Sequence, residues 1–204
     1  SWTPQPLLQR AISCRRRGCR GCDVQVWSLQ SSHLLVAKHV SYRLGIFGFA
    51  GAPGVEKNAA LRDHRTAVEW VRDNIAGFGG DPSRIVIYGQ SAGGAAVDYW
   101  AYAWKNDPVV SGLISMSGTS LSFIPNTVEY SQSLWYNVSQ TIGCGGPAND
   151  TATVIACVRS ANTSTLLAAS AKVPGLPSAA LTQATFHPTV DLSLIHISER
   201  AGKA

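Results

Sequence analysis

The stretch Ile85-Val-Ile-Tyr-Gly-Gln-Ser-Ala-Gly-Gly94 places a serine between an apolar, β-branched run and a run of small residues. The first run predicts a short buried strand, and the small residues from Ala92 onward predict the start of a helix. Only a sharp turn can join them, with Ser91 at its apex and its hydroxyl above the end of the strand. Such a turn requires small neighbours, which accounts for Gly89 and Gly93. The stretch therefore predicts an α/β protein with a nucleophilic serine, and the alternative is a glycine-rich turn without chemistry.

Predicted strands and helices flank this turn on both sides. Leu34–Val40 predicts a strand upstream, and Gly112–Met116 predicts another downstream. A strand, a helix and a strand joined by connections of this length predict a parallel crossover, which is the unit of a doubly wound sheet. Upstream of the serine, an amphipathic helix is predicted over residues 62–75, with an apolar face formed by Ala67, Trp70, Val71 and Ile75.

An aromatic stripe follows the serine at helical spacing, formed by Tyr99, Trp100, Tyr102 and Trp104. These side chains could line a substrate cleft. We favour packing in the core, because aromatic residues at this spacing more often fill the interior of a protein.

The basic character of the chain is confined to its two ends. The net charge is +5, but residues 1–33 contribute +4 and residues 192–204 contribute +1, so residues 34–191 are neutral. Because a neutral central domain has no electrostatic footprint for a polyanion, we expect no nucleic-acid partner. With 45% apolar and 14% charged residues, the chain can bury one sizeable core. No transmembrane segment is expected.

The two ends of the chain are not expected to be parts of the folded domain. Residues 1–33 lack sustained periodicity, open without Met, and carry Cys14, Cys19 and Cys22 in an arginine-rich run. A metal knuckle needs a fourth ligand at a suitable spacing, so we expect no metal site and interpret this segment as a disordered or mistranslated leader. It also lacks the apolar region of a secretory signal. Residues 192–204 resemble an in-frame translation of a transposon-end adapter and are expected to be an artefactual tail.

Residues 34–191 are expected to form the domain, and after residue 128 they become helical with frequent breaks. Asn149 or Asp150 can cap one short helix, and Asn162 can cap another. Cys144 and Cys157 are separated by twelve residues across two such breaks. This spacing is compatible both with a disulfide and with two unpaired buried thiols.

Three N-glycosylation sequons occur in the same helical region, at Asn137, Asn149 and Asn162. Three sequons beside a pair of cysteines favour an oxidising, secretory route. We therefore expect a secreted protein.

Several longer motifs carry a resemblance to a known family. In chain order they are Tyr42–Phe49, Glu69–Ile75, Phe78–Gly93, Ser115–Gly118 and Phe186–Asp191. Together they resemble the type-B carboxylesterase/lipase family, which includes the cholinesterases, and most of all its fungal members. The resemblance covers residues 40–191. It implies an α/β-hydrolase fold, here incomplete, with a small-molecule ester or lipid as substrate, no cofactor, and a disulfide between Cys144 and Cys157.

The resemblance also implies a role for the serine and its neighbours. Ser91 attacks an ester carbonyl after passing its proton to a histidine base, which a carboxylate orients. Negative charge then develops on the carbonyl oxygen, and the Ala92 N–H at the start of the following helix is placed to stabilise it. The remaining elbow residues are Gly89, Gln90, Gly93 and Gly94, and Gln90 stands where many relatives carry Glu.

The other catalytic groups are not identified in this sequence. The family draws further oxyanion donors from an upstream glycine-rich segment, which residues 1–39 do not contain. In α/β-hydrolases the acid and the histidine follow the serine. Only His187 and His196 follow Ser91, and neither matches a catalytic position. We therefore expect a piece of a secreted esterase or lipase whose own activity is close to background.

Two other interpretations stay open. A non-catalytic hydrolase-like domain for adhesion or binding usually lacks the serine, whereas Ser91 is present. Alternatively, the chain as written is an assembly product of library DNA. The sequence leaves the acyl and alcohol preference, a lid and the oligomeric state undecided.

Overall fold

The computed structural model describes residues 24–29, 35–122, 124–175, 184–191 and 194–195 of the 204-residue chain. Within these residues, one sheet is formed by the strands β1 (Val24–Leu29), β2 (Leu35–Val40), β3 (Ile85–Gln90) and β4 (Gly112–Met116). The α-helices are α1 (Gly45–Gly48), α2 (Ala59–Asn74), α3 (Ala92–Ala103), α4 (Val128–Thr141), α5 (Thr151–Ser160) and α6 (Thr163–Ser170). None of these described helices has the length and apolar character needed to cross a bilayer.

The sheet has the strand order β2-β1-β3-β4. Strands β3 and β4 are parallel, with Ile87 beside Leu113 and Gln90 beside Met116, and α3 connects them. This pair confirms the parallel crossover that the sequence predicts. Strand β1 is antiparallel to both of its neighbours, so the sheet as a whole is mixed.

Strand β1 is not predicted by the sequence, because Val24–Leu29 falls within the segment interpreted as a leader. It pairs with β2 on one side and with β3 on the other, so it lies inside the sheet. Six residues are too few to show a clear alternation, and the pairing with β3 joins residues far apart in the chain. The interpretation of residues 1–23 and 30–33 as a leader concerns positions outside the described residues.

Two clusters of buried side chains form the interior. The first lies among the sheet, α2 and α3, and its members include Leu61, Val68, Ile75, Ile85, Ile87, Val97 and Trp100. The second lies around α4, and its members include Ile46, Leu134, Trp135, Val138, Val154, Val158 and Leu166. The serine turn between β3 and α3 therefore lies next to the first cluster, while the helical region around α4 has its own interior in the second.

The aromatic stripe after the serine packs mainly into the first cluster, as predicted. Tyr99 and Trp100 are almost fully buried, and Trp104 packs against the cluster, whereas Tyr102 is half exposed. The Trp100 Nε1–H donates to the carbonyl oxygen of Pro108 at 2.8 Å. The polar atom of this buried indole is therefore satisfied.

The predicted apolar face of α2 is wrong at Trp70. Val71 and Ile75 are buried, but Trp70 is 51% exposed. The buried positions of this helix are Ala60, Leu61, His64, Val68 and Val71. Because successive helical residues are rotated by about 100°, Trp70 points away from the side that Val68 buries. Its ring instead lies 6.3 Å from the ring of Phe78, centroid to centroid.

The short helices after α4 begin where the sequence predicts. Asp150 caps α5 by accepting a hydrogen bond from the Thr153 N–H at 2.8 Å. Asn162 caps α6 by accepting one from the Ser164 N–H at 2.9 Å. Each cap satisfies one of the N–H groups that a helix leaves without an internal partner.

A disulfide joins Cys144 to Cys157, with the two Cα atoms 5.6 Å apart. It ties the segment that follows α4 to the middle of α5. This is the pairing that the family resemblance implies, and it resolves the choice that the spacing alone leaves open.

A buried asparagine joins the segment 184–191 to the start of α2. Asn58 is 1% exposed and has a left-handed backbone with φ of 59°. Its Nδ2 donates to the Thr189 carbonyl oxygen at 2.8 Å, and its Oδ1 accepts from the Thr189 N–H at 2.8 Å. A further bond of 2.8 Å runs from Nδ2 to Asp191 Oδ2. One side chain thus satisfies backbone and side-chain groups more than 130 residues away in the chain.

The other oxygen of Asp191 holds the residues that follow it. Asp191 Oδ1 accepts hydrogen bonds from the N–H groups of Leu194 and Ile195 at 2.8 and 3.0 Å. Both side chains are buried in the first cluster. These two residues belong to the segment interpreted as an artefactual tail, and they pack as part of the core. The adapter origin of residues 192–204 stays a prediction.

We expect Asn58→Gly to lower the free energy of unfolding by about 3 kcal/mol, because it strands buried groups that each cost about 1–3 kcal/mol when left unpaired. Because glycine readily adopts the left-handed backbone, the loss of unfolding free energy measures the contribution of the side-chain hydrogen bonds. Denaturant unfolding followed by circular dichroism measures it. Asn74→Gly is the control. Asn74 is an exposed asparagine at the end of α2, and its side-chain amide donates to the Trp70 carbonyl oxygen. Equal losses in the two variants would contradict the role of Asn58.

A second prediction concerns the buried His64, which is 3% exposed and packs edge-on against the Tyr42 ring at 4.1 Å. Its Nε2 atom has no hydrogen-bond partner among the described residues. Burial lowers the pKa of His64 from 6.5 to about 4, against the raising effect of the nearby Asp63 carboxylate. The folded protein therefore prefers the neutral imidazole of His64. The contribution of this group to stability is complete above its pKa in the unfolded chain, and it is lost as the pH falls toward its pKa in the folded protein.

We expect the wild-type chain to lose about 2 kcal/mol of unfolding free energy between pH 7 and pH 5 through this group. His64→Gln removes the titrating group. The difference in unfolding free energy between wild type and variant should therefore shrink by about 2 kcal/mol from pH 7 to pH 5. Urea unfolding of both proteins at the two pH values measures it. A parallel pH dependence in the two proteins would show that His64 does not contribute.

Candidate active site

Ser91 lies at the junction of β3 and α3 in a backbone conformation that non-glycine residues rarely adopt, with φ of 54° and ψ of −118°. Its N–H donates to the Met116 carbonyl oxygen at 2.9 Å, and its own carbonyl oxygen accepts from the Ala95 N–H at 3.0 Å. These two bonds tie the turn to the end of β4 and to the first turn of α3. The surrounding structure therefore holds the strain that the sequence predicts for this position.

Glycines make this turn possible because other backbone segments approach it closely. A Cβ atom at Gly89 would overlap the Gly93 backbone, and one at Gly94 would lie 2.7 Å from the Met116 carbonyl oxygen. A Cβ atom at Gly118 would overlap the Ser91 carbonyl group. The sequence identifies Gly89, Gly93 and Gly94 as elbow residues but assigns no role to Gly118. The signal was present in the Ser115–Gly118 motif, which overlaps the end of the predicted strand Gly112–Met116.

The positive end of α3 lies at the serine. Ala92 is the first residue of the helix, and the Ala95 N–H makes the first backbone bond back to Ser91. The Ser91 side chain at the N-cap makes no capping hydrogen bond to this end of the helix. The N–H groups at the start of the helix are thus oriented toward the side on which the serine lies, where they favour negative charge. The Ser91 side chain is exposed, and so is Gln90 beside it.

The loop after β4 is fixed against α3 by polar contacts that the sequence does not predict. Asp98 Oδ2 accepts from the Ser120 N–H at 2.8 Å, and the Tyr99 hydroxyl donates to the Ser120 carbonyl oxygen at 3.3 Å. Burial raises the pKa of Tyr99, so its hydroxyl stays a donor. The Ser115 hydroxyl bonds the carbonyl oxygens of Gly94 and Gly118. These bonds fix the distance between the loop and the turn.

His187 and His64 contact other parts of the structure. His187 Nδ1 lies 2.7 Å from the Ala184 carbonyl oxygen and its Nε2 lies 2.9 Å from the Ile124 carbonyl oxygen, so both ring nitrogens face backbone acceptors. His64 is buried beside Tyr42, and His196 lies outside the described residues. No hydrogen bond joins the Ser91 hydroxyl to a described side chain.

Asp63 and Glu69 on α2 form ion pairs. The Asp63 carboxylate accepts from the Arg43 guanidinium at 2.8 and 2.7 Å and from the Arg43 N–H at 3.0 Å. Burial alone would raise the pKa of Asp63, but these bonds and the Arg43 charge bring that pKa below its usual value. Arg65 pairs with Glu69 at 2.7 Å. Within the described residues, no cluster of three or more His, Cys, Asp or Glu side chains could hold a metal ion.

Comparison with known proteins identifies the family of this chain. The sequence profile of the Carboxylesterase family matches residues 27–201, which is wider than the range covered by the motifs. The chain is 38% identical over 162 residues to a chlorogenic acid esterase of Aspergillus niger, a match that covers 78% of this chain and 30% of that protein. It is 40% identical over 128 residues to secreted lipase 5 of Gibberella zeae, covering 60% of this chain and 24% of the lipase.

A third relative matches over a longer stretch. Secreted lipase 1 of Botryotinia fuckeliana is 35% identical over 176 residues, covering 80% of this chain and 30% of the lipase. The chain thus spans less than a third of the length of the relatives that it matches. The family match and the strained serine turn between a strand and a helix agree, and the chain belongs to the carboxylesterase family, which has the α/β-hydrolase fold.

Proposed function

We propose that Ser91 is the nucleophile of a carboxylic ester hydrolase and forms an acyl-enzyme. The observation that carries the proposal is the strained backbone of Ser91, held by two backbone hydrogen bonds and by glycines that leave room for them. Such strain persists only where the surrounding structure enforces it, and here it exposes a hydroxyl at the positive end of a helix. The relatives are an esterase and secreted lipases, so the substrate class is esters, including lipids.

The first chemical step joins the Ser91 oxygen to the ester carbonyl carbon, while a base takes the hydroxyl proton. Charge moves onto the carbonyl oxygen, and the Ala92 N–H donates to it in the resulting intermediate. Expulsion of the alcohol leaves the acyl group on Ser91, and water then releases the acid. Of the histidines that follow Ser91, neither His187 nor His196 matches a catalytic position of the family, so the proposal assigns the base and its orienting acid to a part of the protein beyond this chain. This chain by itself consequently hydrolyses esters close to background.

We expect the purified 204-residue chain to turn over p-nitrophenyl butyrate at a rate that Ser91→Ala barely changes, because a serine without a base is a poor nucleophile. In a longer protein that contains the histidine and acid, the same substitution should lower kcat by about 10⁴-fold or more. Ser133→Ala, at an exposed serine on α4, is the matched control in both proteins.

The two arms of this experiment test different parts of the proposal. Robust Ser91-dependent turnover by the 204-residue chain would show that the base lies within it. Unchanged turnover in the longer Ser91→Ala protein would overturn the nucleophile assignment itself. Unfolding of each variant is followed in parallel, so that lost activity is not confused with a lost fold.

The proposal includes secretion as a glycoprotein. Asn137, Asn149 and Asn162 are all exposed. The hydrogen bonds that Asn149 and Asn162 accept use Oδ1, from the N–H groups of Gly146 and Ser164, whereas a glycan attaches to Nδ2. Secretion is further supported by two relatives that are secreted lipases.

When the protein is expressed through a eukaryotic secretory pathway, we expect enzymatic deglycosylation to lower its mass, as measured by mass spectrometry. Asn137→Gln, Asn149→Gln and Asn162→Gln should each remove one glycan, because each substitution eliminates the acceptor nitrogen. Asn74→Gln, at an exposed asparagine outside any sequon, should leave the mass of the glycans unchanged. A protein whose mass is the same before and after deglycosylation would contradict this part of the proposal.

A further inference from the structure

Asn137 lies inside a helix, on the third turn of α4, and its side chain is exposed. Acceptors of N-linked glycans are typically found in surface loops instead. The transferring enzyme recognises the asparagine together with the hydroxyl residue two positions later, which here is Ser139. Exposure of Asn137 is therefore not sufficient for modification, because Ser139 must be reached as well.

The two ends of this sequon point to opposite sides of α4. Each helical residue is rotated by about 100° from the one before, so Ser139 is turned by about 200° from Asn137. Asn137 is exposed, whereas Val138 and Ser139 are both 0% exposed. An enzyme that approaches the folded helix from outside therefore cannot contact the amide and the hydroxyl together.

The Ser139 hydroxyl is also held by hydrogen bonds. It donates to the Gly145 carbonyl oxygen, and the Tyr136 carbonyl oxygen lies 3.2 Å from it. The Cys144 N–H in turn donates to the Ser139 carbonyl oxygen at 2.8 Å. The chain after α4 thus folds back over Ser139 and closes access to it. Any further chain that packs here adds to this burial.

The disulfide holds the closure in place. Cys144 directly precedes Gly145 and is joined to Cys157 in the middle of α5, across a sequence separation of 13. This cross-link removes conformations in which the segment after α4 swings away. Val138, between the two ends of the sequon, is buried in the second cluster. The burial of Ser139 and the formation of the disulfide are therefore parts of one folding event.

The sequon at Asn162 differs in geometry, although it has the same Asn-x-Ser pattern. Asn162 is the N-cap of α6 and has an extended backbone, with φ of −64° and ψ of 140°. The Ser164 hydroxyl donates to Asn162 Oδ1 at 2.8 Å, so the amide and the hydroxyl of this sequon lie side by side. The first turn of a short helix also opens more readily than a packed helix interior.

We propose, given the secretory glycosylation in the proposed function, that Asn137 accepts its glycan only while α4 is unfolded and the Cys144–Cys157 disulfide is open, whereas Asn162 stays an acceptor in the folded protein. The donor is a lipid-linked oligosaccharide. Asn137 Nδ2 forms a bond to the anomeric carbon of the sugar and loses one proton to solvent, while the bond from that carbon to the lipid diphosphate breaks and the diphosphate leaves. The folding of α4 ends the period in which this step takes place.

Transfer in vitro tests the proposal on the 204-residue chain, made in the periplasm of a bacterial host that adds no N-linked glycans. The substrates are a purified oligosaccharyltransferase and a lipid-linked oligosaccharide, and peptide mapping by mass spectrometry gives the rate at each site. In the oxidised, folded chain, Asn137 should be modified at least about tenfold more slowly than Asn162, because α4 must open first. In a chain unfolded by reduction and carboxymethylation of its cysteines, the two sites should react at comparable rates.

The double variant Cys144→Ser, Cys157→Ser tests the coupling to the disulfide. It should raise the rate at Asn137 at least about tenfold over the folded wild type, because the segment over Ser139 is no longer tied to α5. The rate at Asn162 should stay unchanged, and this site is the matched control within the same molecule. Circular dichroism of every sample shows whether its helices persist.

Equal rates at Asn137 and Asn162 in the folded wild type would overturn the proposal. A double variant that keeps its helices and modifies Asn137 no faster than wild type would also overturn it, as would an unfolded chain modified at Asn162 but not at Asn137. An unfolded chain modified at neither site would overturn the secretory glycosylation of the proposed function as well. Ester hydrolysis through Ser91 is independent of all these outcomes.

Discussion

The close approach of three backbone segments at Ser91 is the constraint on which the site depends. The end of β3, the start of α3 and the loop after β4 meet there, and side chains at Gly89, Gly94 or Gly118 would overlap a neighbouring backbone. Because the segments are in contact, the Ser91 N–H reaches the end of β4, and the positive φ of Ser91 follows from that contact. The direction of the Ser91 side chain is therefore set by how β3 and β4 pair.

This dependence links the conformation of Ser91 to the register of the sheet. The parallel register that puts Gln90 beside Met116 also puts the Met116 carbonyl oxygen within reach of the serine N–H. A slip of the register would remove this bond and would bring a residue larger than glycine against the Ser91 carbonyl group. The contacts of Asp98 and Tyr99 with Ser120 hold the loop in the one position that the turn allows.

Local features of the site could be predicted from the sequence, whereas features that depend on distant pairing could not. The serine turn is encoded in consecutive residues, since β-branched residues, glycines and small helix formers each have a local preference. Gly118 and Asn58 act on residues far along the chain, so no local pattern reveals their roles. Strand β1 could not be predicted for the same reason, because its position is set by pairing with two other strands. The error at Trp70 is different: a few apolar residues at helical spacing do not fix which side of the helix is buried.

The same distinction separates the geometry of Ser91 from its reactivity. Every group that holds the turn lies on β3, α3, β4 or the loop after β4, so packing within this unit is sufficient to keep the strained backbone. None of these groups accepts the proton of the serine hydroxyl. The turn therefore forms whether or not a base is present, so its geometry does not determine the reactivity of the Ser91 hydroxyl. The proposed mechanism requires an imidazole at the same hydroxyl, and that is a long-range contact of the kind that a local sequence pattern does not encode.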